Sequence, residues 1–145
     1  MTRYLLDTNI ISNLIKPAPS PVLLAWMGDR SDEDLFIAAL TVAEIRRGIL
    51  QMPIGARRDS LEAWFSGPTG PQALFDDRIL PFDTAAAHAW ARLMAEGRTS
   101  GHPRNGLDMI VAATAEARDC IIATDNERDF VGLRYINLLR AAHDA

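Results

Sequence analysis

The chain has 145 residues, a length that fits one folded domain spanning 1–145 and can bury roughly two-thirds of the surface its unfolded form exposes. Hydrophobic residues make up 48%, which excludes intrinsic disorder. The single cysteine, Cys120, excludes an internal disulfide framework and suits a reduced, cytoplasmic setting. A net charge of -4 argues against nonspecific nucleic-acid binding by the whole surface but not against local binding. No stretch approaches the roughly 18 apolar residues of a membrane span, and the first apolar run stops at Asp7, too soon for a signal peptide.

In chain order, Arg3 to Leu6 reads as a buried first strand. Thr8 to Lys16 reads as a helix stopped by Pro17 and Pro19, and Pro21 to Met27 as a short second helix carrying Trp26. Gly28 to Asp34 is a polar turn. Leu35 to Ala39 is either a strand or the start of the next helix, Thr41 to Gln51, which ends before Pro53. Ala56 to Phe65 is helical up to Gly67-Pro68, and Arg78 to Leu80 is a brief strand. Asp83 caps a helix from Ala85 to Glu96, with Gly97 as its stop. A loop from Thr99 to Asn105 leads to a helix from Gly106 to Asp119 and a strongly apolar strand, Cys120 to Thr124. Gly132 to Asn137 supplies an edge strand, and Leu138 to His143 a terminal turn or helix. Short apolar strands alternating with helices predict an α/β fold with a parallel sheet, in which ligands bind beyond the carboxyl ends of the strands.

The acids fall where structure changes. Asp7 closes the first strand, Glu44 sits in Thr41-Val42-Ala43-Glu44, Asp108 opens an Ala-rich helix, and Asp125 and Asp129 follow the strand Cys120–Thr124. Each has an ordinary structural explanation. Asp7 can be a helix N-cap, Thr41 and Glu44 can form a capping box, Asp108 can answer the helix macrodipole, and Asp125 and Asp129 can be turn or solvated acids. As a set they converge on one edge of a parallel sheet. Carboxylates held close repel one another and raise one another's pKa, and a hard cation with oxygen ligands removes that cost. No cysteine–histidine cluster points to zinc. No Gly-x-x-x-x-Gly-Lys or Gly-x-Ser-x-Gly motif occurs, and His88, His102 and His143 suggest no triad. The chemistry that fits is metal-assisted phosphodiester hydrolysis, with no nucleophilic side chain required.

Four stretches, Leu5-Leu6-Asp7-Thr8-Asn9-Ile10-Ile11-Ser12, Thr41-Val42-Ala43-Glu44-Ile45-Arg46-Arg47-Gly48, Leu107-Asp108-Met109-Ile110-Val111-Ala112-Ala113-Thr114-Ala115 and Ala123-Thr124-Asp125-Asn126-Glu127-Arg128-Asp129-Phe130, resemble, in order, the motifs of PIN-domain ribonucleases of the VapC toxin type. The resemblance implies a three-layer α/β/α sandwich with a central, mostly parallel sheet. It implies a metal-dependent endoribonuclease that acts as the toxin of a toxin–antitoxin pair, with Asp7, Glu44, Asp108 and Asp129 as catalytic, metal-binding acids for magnesium or manganese. The family pattern Thr-x-Asn-x-x-Asp-Phe places the fourth acid at Asp129; Asp125 occupies a variable position and is an additional acid whose direction is open. Thr8, Asn9, Thr124 and Asn126 are expected to orient carboxylates or contact phosphate. Arg46, Arg47, Arg98 and Arg104, with Arg57 and Arg58, are candidates to guide RNA. An antitoxin that covers the site and a homodimer are implied partners, with Trp26, Trp64, Phe65 and Trp90 as candidates for an antitoxin groove. The competing reading is a PIN-like RNA- or protein-binding module without catalysis. A phosphatase with Asp-x-Asp after its first strand does not match, because position 9 is Asn.

Overall fold

The computed structural model describes residues 2–138, so the terminal turn or helix expected from Leu138 onward lies, beyond its first residue, outside the described residues. Five strands, β1 (Arg3–Leu6), β2 (Leu35–Ala38), β3 (Ile79–Leu80), β4 (Cys120–Thr124) and β5 (Tyr135–Asn137), form one sheet in the order β3-β2-β1-β4-β5. Every pairing is parallel. From β1 the chain builds outward through β2 and β3, then returns to add β4 and β5 on the other side. The direction of winding therefore reverses between β1 and β4, whose register sets Leu6 beside Ala123. A crevice opens at such a switch point beyond the carboxyl ends of the strands.

The helices are α1 (Thr8–Leu14), α2 (Pro21–Gly28), α3 (Ala39–Leu50), α4 (Ala56–Ser66), α5 (Pro71–Leu74), α6 (Thr84–Thr99) and α7 (Gly106–Ala117). Strand alternation divides the core. Leu5, Ala38 and Ile122 face α6 and α7, where they meet Leu93, Met109, Val111 and Phe130. Leu6, Ile37 and Ala123 face the other layer, where they meet Ile10, Ile11, Leu23, Trp26 and Phe75. With both faces covered, the strands are apolar runs rather than alternating ones, and the result is an α/β/α sandwich.

The departures from the sequence reading have local causes. The segment 35–38 is a strand, and α3 begins directly at Ala39 with no side-chain cap. Thr41 is therefore inside the helix, and it forms no capping box with Glu44. Gly28 extends α2, and Asp32–Asp34 forms a 3-10 turn. Gly97 does not stop α6, which runs on to Thr99. Gly97 is buried there, and a Cβ on it would lie 3.0 Å from the His102 carbonyl oxygen and from Arg104 Cγ. Its hydrogen side chain lets the following loop fold back onto the helix. The helix α7 ends at Ala117, and Asp119 takes a left-handed conformation with φ 54, as short polar residues do just past helix ends.

The short α5 has no counterpart in the sequence reading. It lies against the end of α4, where a Cβ on Gly70 would overlap the main-chain oxygens of Trp64 and Phe65. Gly70→Ala should therefore destabilise the protein by about 1–3 kcal/mol, the usual range for overpacking. Gly106→Ala, at a site open to added volume, should cost nothing. Urea denaturation of the two variants beside the parent measures both effects.

Candidate active site

Asp7 follows β1 and extends its pairing with β4 by one hydrogen bond, from its N–H to the Ala123 carbonyl at 2.9 Å. It is the N-cap of α1, with Oδ1 accepting from the Thr8 N–H at 2.9 Å. Its other oxygen accepts from the Thr124 hydroxyl at 3.0 Å. The residue is only 7% exposed. Burial raises its pKa, the two hydrogen bonds oppose the rise, and the charges of Glu44 and Asp125 add to it. Capping and site formation are thus one role for Asp7, not competing explanations.

Thr124 ends β4 fully buried. Its hydroxyl donates to Asp7 and accepts from the Asn126 N–H at 3.0 Å and from Asn9 Nδ2 at 3.4 Å. Thr8 does the same for the other flank: its Oγ lies 2.9 Å from Glu44 Oε1 and 3.1 Å from the buried Thr41 Oγ. Donation to the carboxylate leaves a lone pair for the Thr41 hydroxyl. The second oxygen of Glu44 faces Arg47 Nη2 at 3.8 Å.

Asp108 stands in the first turn of α7, whose start is capped by Asn105 Oδ1 at 2.9 and 3.0 Å from the Leu107 and Asp108 N–H groups. Its pKa is raised to about 6, first by burial, then by the charges of Asp129 and Asp7, by a hydrogen bond shared with Asp129, and by Glu44. Asp129 lies in the 3-10 turn Glu127–Phe130 and accepts from the Asn126 side-chain amide. An open cleft of about 410 Å³ takes in Asp7, Glu44, Asp108 and Asp125 together with Thr8, Asn9 and Asn126. Asp125 therefore faces the site. Asp129 joins it through Asp108 and also lines a neighbouring hollow of about 450 Å³.

Among the described residues no three of these side chains are already closed tightly enough to hold an ion. Their chemistry nonetheless suits a hard divalent cation, since the donors are all oxygens and the surrounding carboxylates help burial to raise the pKa of Asp7 and Asp108. Asn9 Oδ1 is a further buried oxygen acceptor with no hydrogen-bond partner.

A family model described as the PIN domain matches residues 4–133. The chain belongs to the PIN-domain family. It is 40% identical over 134 residues to the VapC ribonuclease Y4jK of Sinorhizobium fredii, covering 91% of this chain and 94% of that protein. It is 34% identical to toxin FitB of Neisseria gonorrhoeae, covering 87% of this chain and 89% of that one. The crystal structure of FitAcB from N. gonorrhoeae superposes with a TM-score of 0.86 at 31% identity, covering 94% of this chain and 98% of that one.

The expected guide arginines of this PIN domain are largely committed elsewhere. Arg46 pairs with Glu62 at 2.6 Å, Arg104 gives Nη1 to the Leu93 carbonyl at 2.7 Å, and Arg58 reaches the Met52 carbonyl at 3.3 Å. Arg57 and Arg98 are exposed and line neither opening. Of these candidates only Arg47 faces an acid of the cleft, Glu44. The sequence reading passed over Ser12, Asn13 and Lys16, which line the cleft. The signal was available: positions 8, 12 and 16 share one polar face at helical spacing, opposite Ile10, Ile11 and Leu14, and Lys16 is the only lysine of the chain.

The raised pKa of Asp108 has a direct consequence for stability. Between about pH 4 and 6 the folded carboxyl keeps a proton that the unfolded one has released, so stability from this group falls as pH rises through that window. In chelator, Asp108→Asn should therefore raise the melting temperature at neutral pH. That gain should shrink to nothing on going below about pH 4, which melts across a pH series will measure.

Proposed function

We propose that this PIN domain is a metal-dependent endoribonuclease that hydrolyses RNA phosphodiester bonds as the toxin of a toxin–antitoxin pair. The observation that carries the reading is the convergence of Asp7, Glu44 and Asp108 on one cleft, with Asp129 against Asp108. The near-full-length likeness to a VapC ribonuclease and to toxin FitB supports it and favours it over a binding module without catalysis. Asp7, Glu44, Asp108 and Asp129 would hold magnesium or manganese. When bound, the ion supplies a water of lowered pKa and offsets charge on the phosphate.

The remaining work falls to the protein. Thr124 and Thr8 fix the rotamers of Asp7 and Glu44, so the acids face the cleft without searching. Asn9 and Asn126 line the same cleft and are placed to contact phosphate oxygens. Asp125 adds negative charge beside Asp7 and strengthens the demand for a cation. The low effective dielectric around the buried Asp7 magnifies these charges.

The antitoxin seat fits an apolar trough of about 480 Å³ between α1, α2, α4 and α5, lined by Ile11, Ile15, Met27, Leu61, Trp64 and Leu74. A smaller hollow shares Ile11, Ile15, Leu61 and Trp64 with it and reaches Thr8 and Glu44, so a segment lying there can place a basic side chain beside the acids. Of the four aromatics considered from sequence, only Trp64 lines this trough. Trp26 and Phe65 are buried, and Trp90 packs on the core with its indole N–H on the Gly106 carbonyl at 3.0 Å. Among the described residues no helix is long and apolar enough to cross a membrane; a cytoplasmic location belongs to the proposal.

Purified protein should cleave RNA with magnesium or manganese and stop with chelator. Asp108→Asn should lower the rate by at least about 100-fold, the upper end of what losing even a partner behind a ligand costs. Folded Asp108→Asn that still cleaved RNA and arrested growth would sink the proposal. Thr124→Val should lose about 10- to 100-fold, and Thr124→Ser should recover most of it; equal losses in both variants would deny the hydroxyl its positioning role.

A further inference from the structure

The cleft presents a problem for any polyanion: its named acids outnumber its one lysine. Most other cations of the molecule are already spent. Arg92 sits between Glu96 and Glu116, Arg118 pairs with Asp83 at 2.7 Å, and Arg134 with Asp119 at 3.1 Å. Arg78 is held by the carbonyls of Asp32, Leu35 and Leu74. Arg3 and Arg30 lie over aromatic rings. Lys16, Arg57, Arg98 and Arg128 differ: all are exposed, and none of these side chains has a hydrogen bond, ion pair or ring contact among the described residues, but only Lys16 and Arg128 line the cleft or the hollow beside it.

Their positions are complementary. Lys16 lines the acidic cleft on the α1 side. Arg128 lines the neighbouring hollow, which also presents His102, Pro103, Asn105, Asp129 and Val131, together with Arg104, whose guanidinium is turned back onto the Leu93 carbonyl and Glu96. The two openings meet at one place, because Asn126 lines the cleft, Asp129 lines the hollow, and the Asn126 side-chain amide donates to the Asp129 carboxylate. An unpaired cation therefore stands on each side of the acids. Val131, 70% exposed, and Pro103 give the hollow an apolar surface against which a base can lie.

We propose that Lys16 and Arg128 are the two phosphate anchors of a single RNA strand, one on each side of the cutting site, and that the hollow beyond Asp129 takes the strand as it leaves the acids. This rests on the ribonuclease reading above. It moves the RNA-guiding role from the arginine candidates legible in the sequence to a lysine and an arginine that were not among them.

The test is fluorescence anisotropy with a labelled single-stranded RNA in magnesium buffer over a salt series, using the full chain with Asp108→Asn to prevent cleavage. Lys16→Ala and Arg128→Ala should each weaken binding several-fold and each reduce the slope of log affinity against log salt by about 0.7, the increment for one single-strand phosphate contact. The double variant should lose both increments. Arg57→Ala, exposed but lining neither opening, should change neither affinity nor slope. Unchanged affinity and slope in the double variant, with wild-type chain still cutting RNA, would overturn the anchors alone; so would an equal loss from Arg57→Ala. A wild-type chain that neither binds nor cuts RNA would overturn the anchors together with the reading they rest on.

Discussion

Asp7, Glu44, Asp108 and Asp125 share one cleft although like charges at short range work against folding. The rest of the site follows from how the protein holds them there. Asp7 is the most constrained, being nearly buried at the end of the central strand and tied by hydrogen bonds to the neighbouring strand, the next helix and Thr124. Thr124 and Thr8 act as matched clamps, one spending its hydroxyl on Asp7 and the other on Glu44. Neither clamp removes the repulsion. Burial first and that repulsion second raise the pKa of Asp7 and bring that of Asp108 to about 6.

The fold makes the arrangement unavoidable. Because winding reverses between β1 and β4, the carboxyl ends of those strands open side by side. Asp7 leaves one and Asp125 the other. The Ala-rich, fully packed face of α7, with Ala112, Ala113 and Ala115 buried, seats that helix so that its first turn delivers Asp108 to the same crevice. The helix α3 starts without a side-chain cap directly after β2, and this places Thr41 and Glu44 on the turn that faces Thr8. Active-site precision thus comes from the same packing that makes the sandwich.

Much of this was legible in the sequence, for identifiable reasons. β1 and β4 are uninterrupted apolar runs bounded by polar residues, and both begin and end where the sequence reading put them. Of the proposed acids, Asp7, Asp108 and Asp129 stand at or near element boundaries, whereas Glu44 lies inside α3. What stayed hidden depended on tertiary approach. Thr41-Val42-Ala43-Glu44 has the pattern of a capping box, yet the hydroxyl of Thr41 faces Thr8, distant in sequence. Gly97 looked like a helix stop, and only the loop folded against it explains why it is glycine. The α4–α5 junction turns on close backbone approach at Gly70, for which local sequence gives no sign. The resemblance put Asp129 ahead of Asp125 and left the direction of Asp125 open; in the structure Asp125 lines the cleft and Asp129 lies against Asp108.

Carboxylates brought together in one cleft call for a divalent cation. Titration of manganese into metal-free protein by calorimetry, repeated in buffers of different ionisation heat, tests it most directly. The account predicts binding that is lost in Asp7→Asn, with proton release near pH 6, where Asp108 is half-protonated, and almost none near pH 8. Absence of binding, or binding unchanged by Asp7→Asn and without proton release near pH 6, would contradict it.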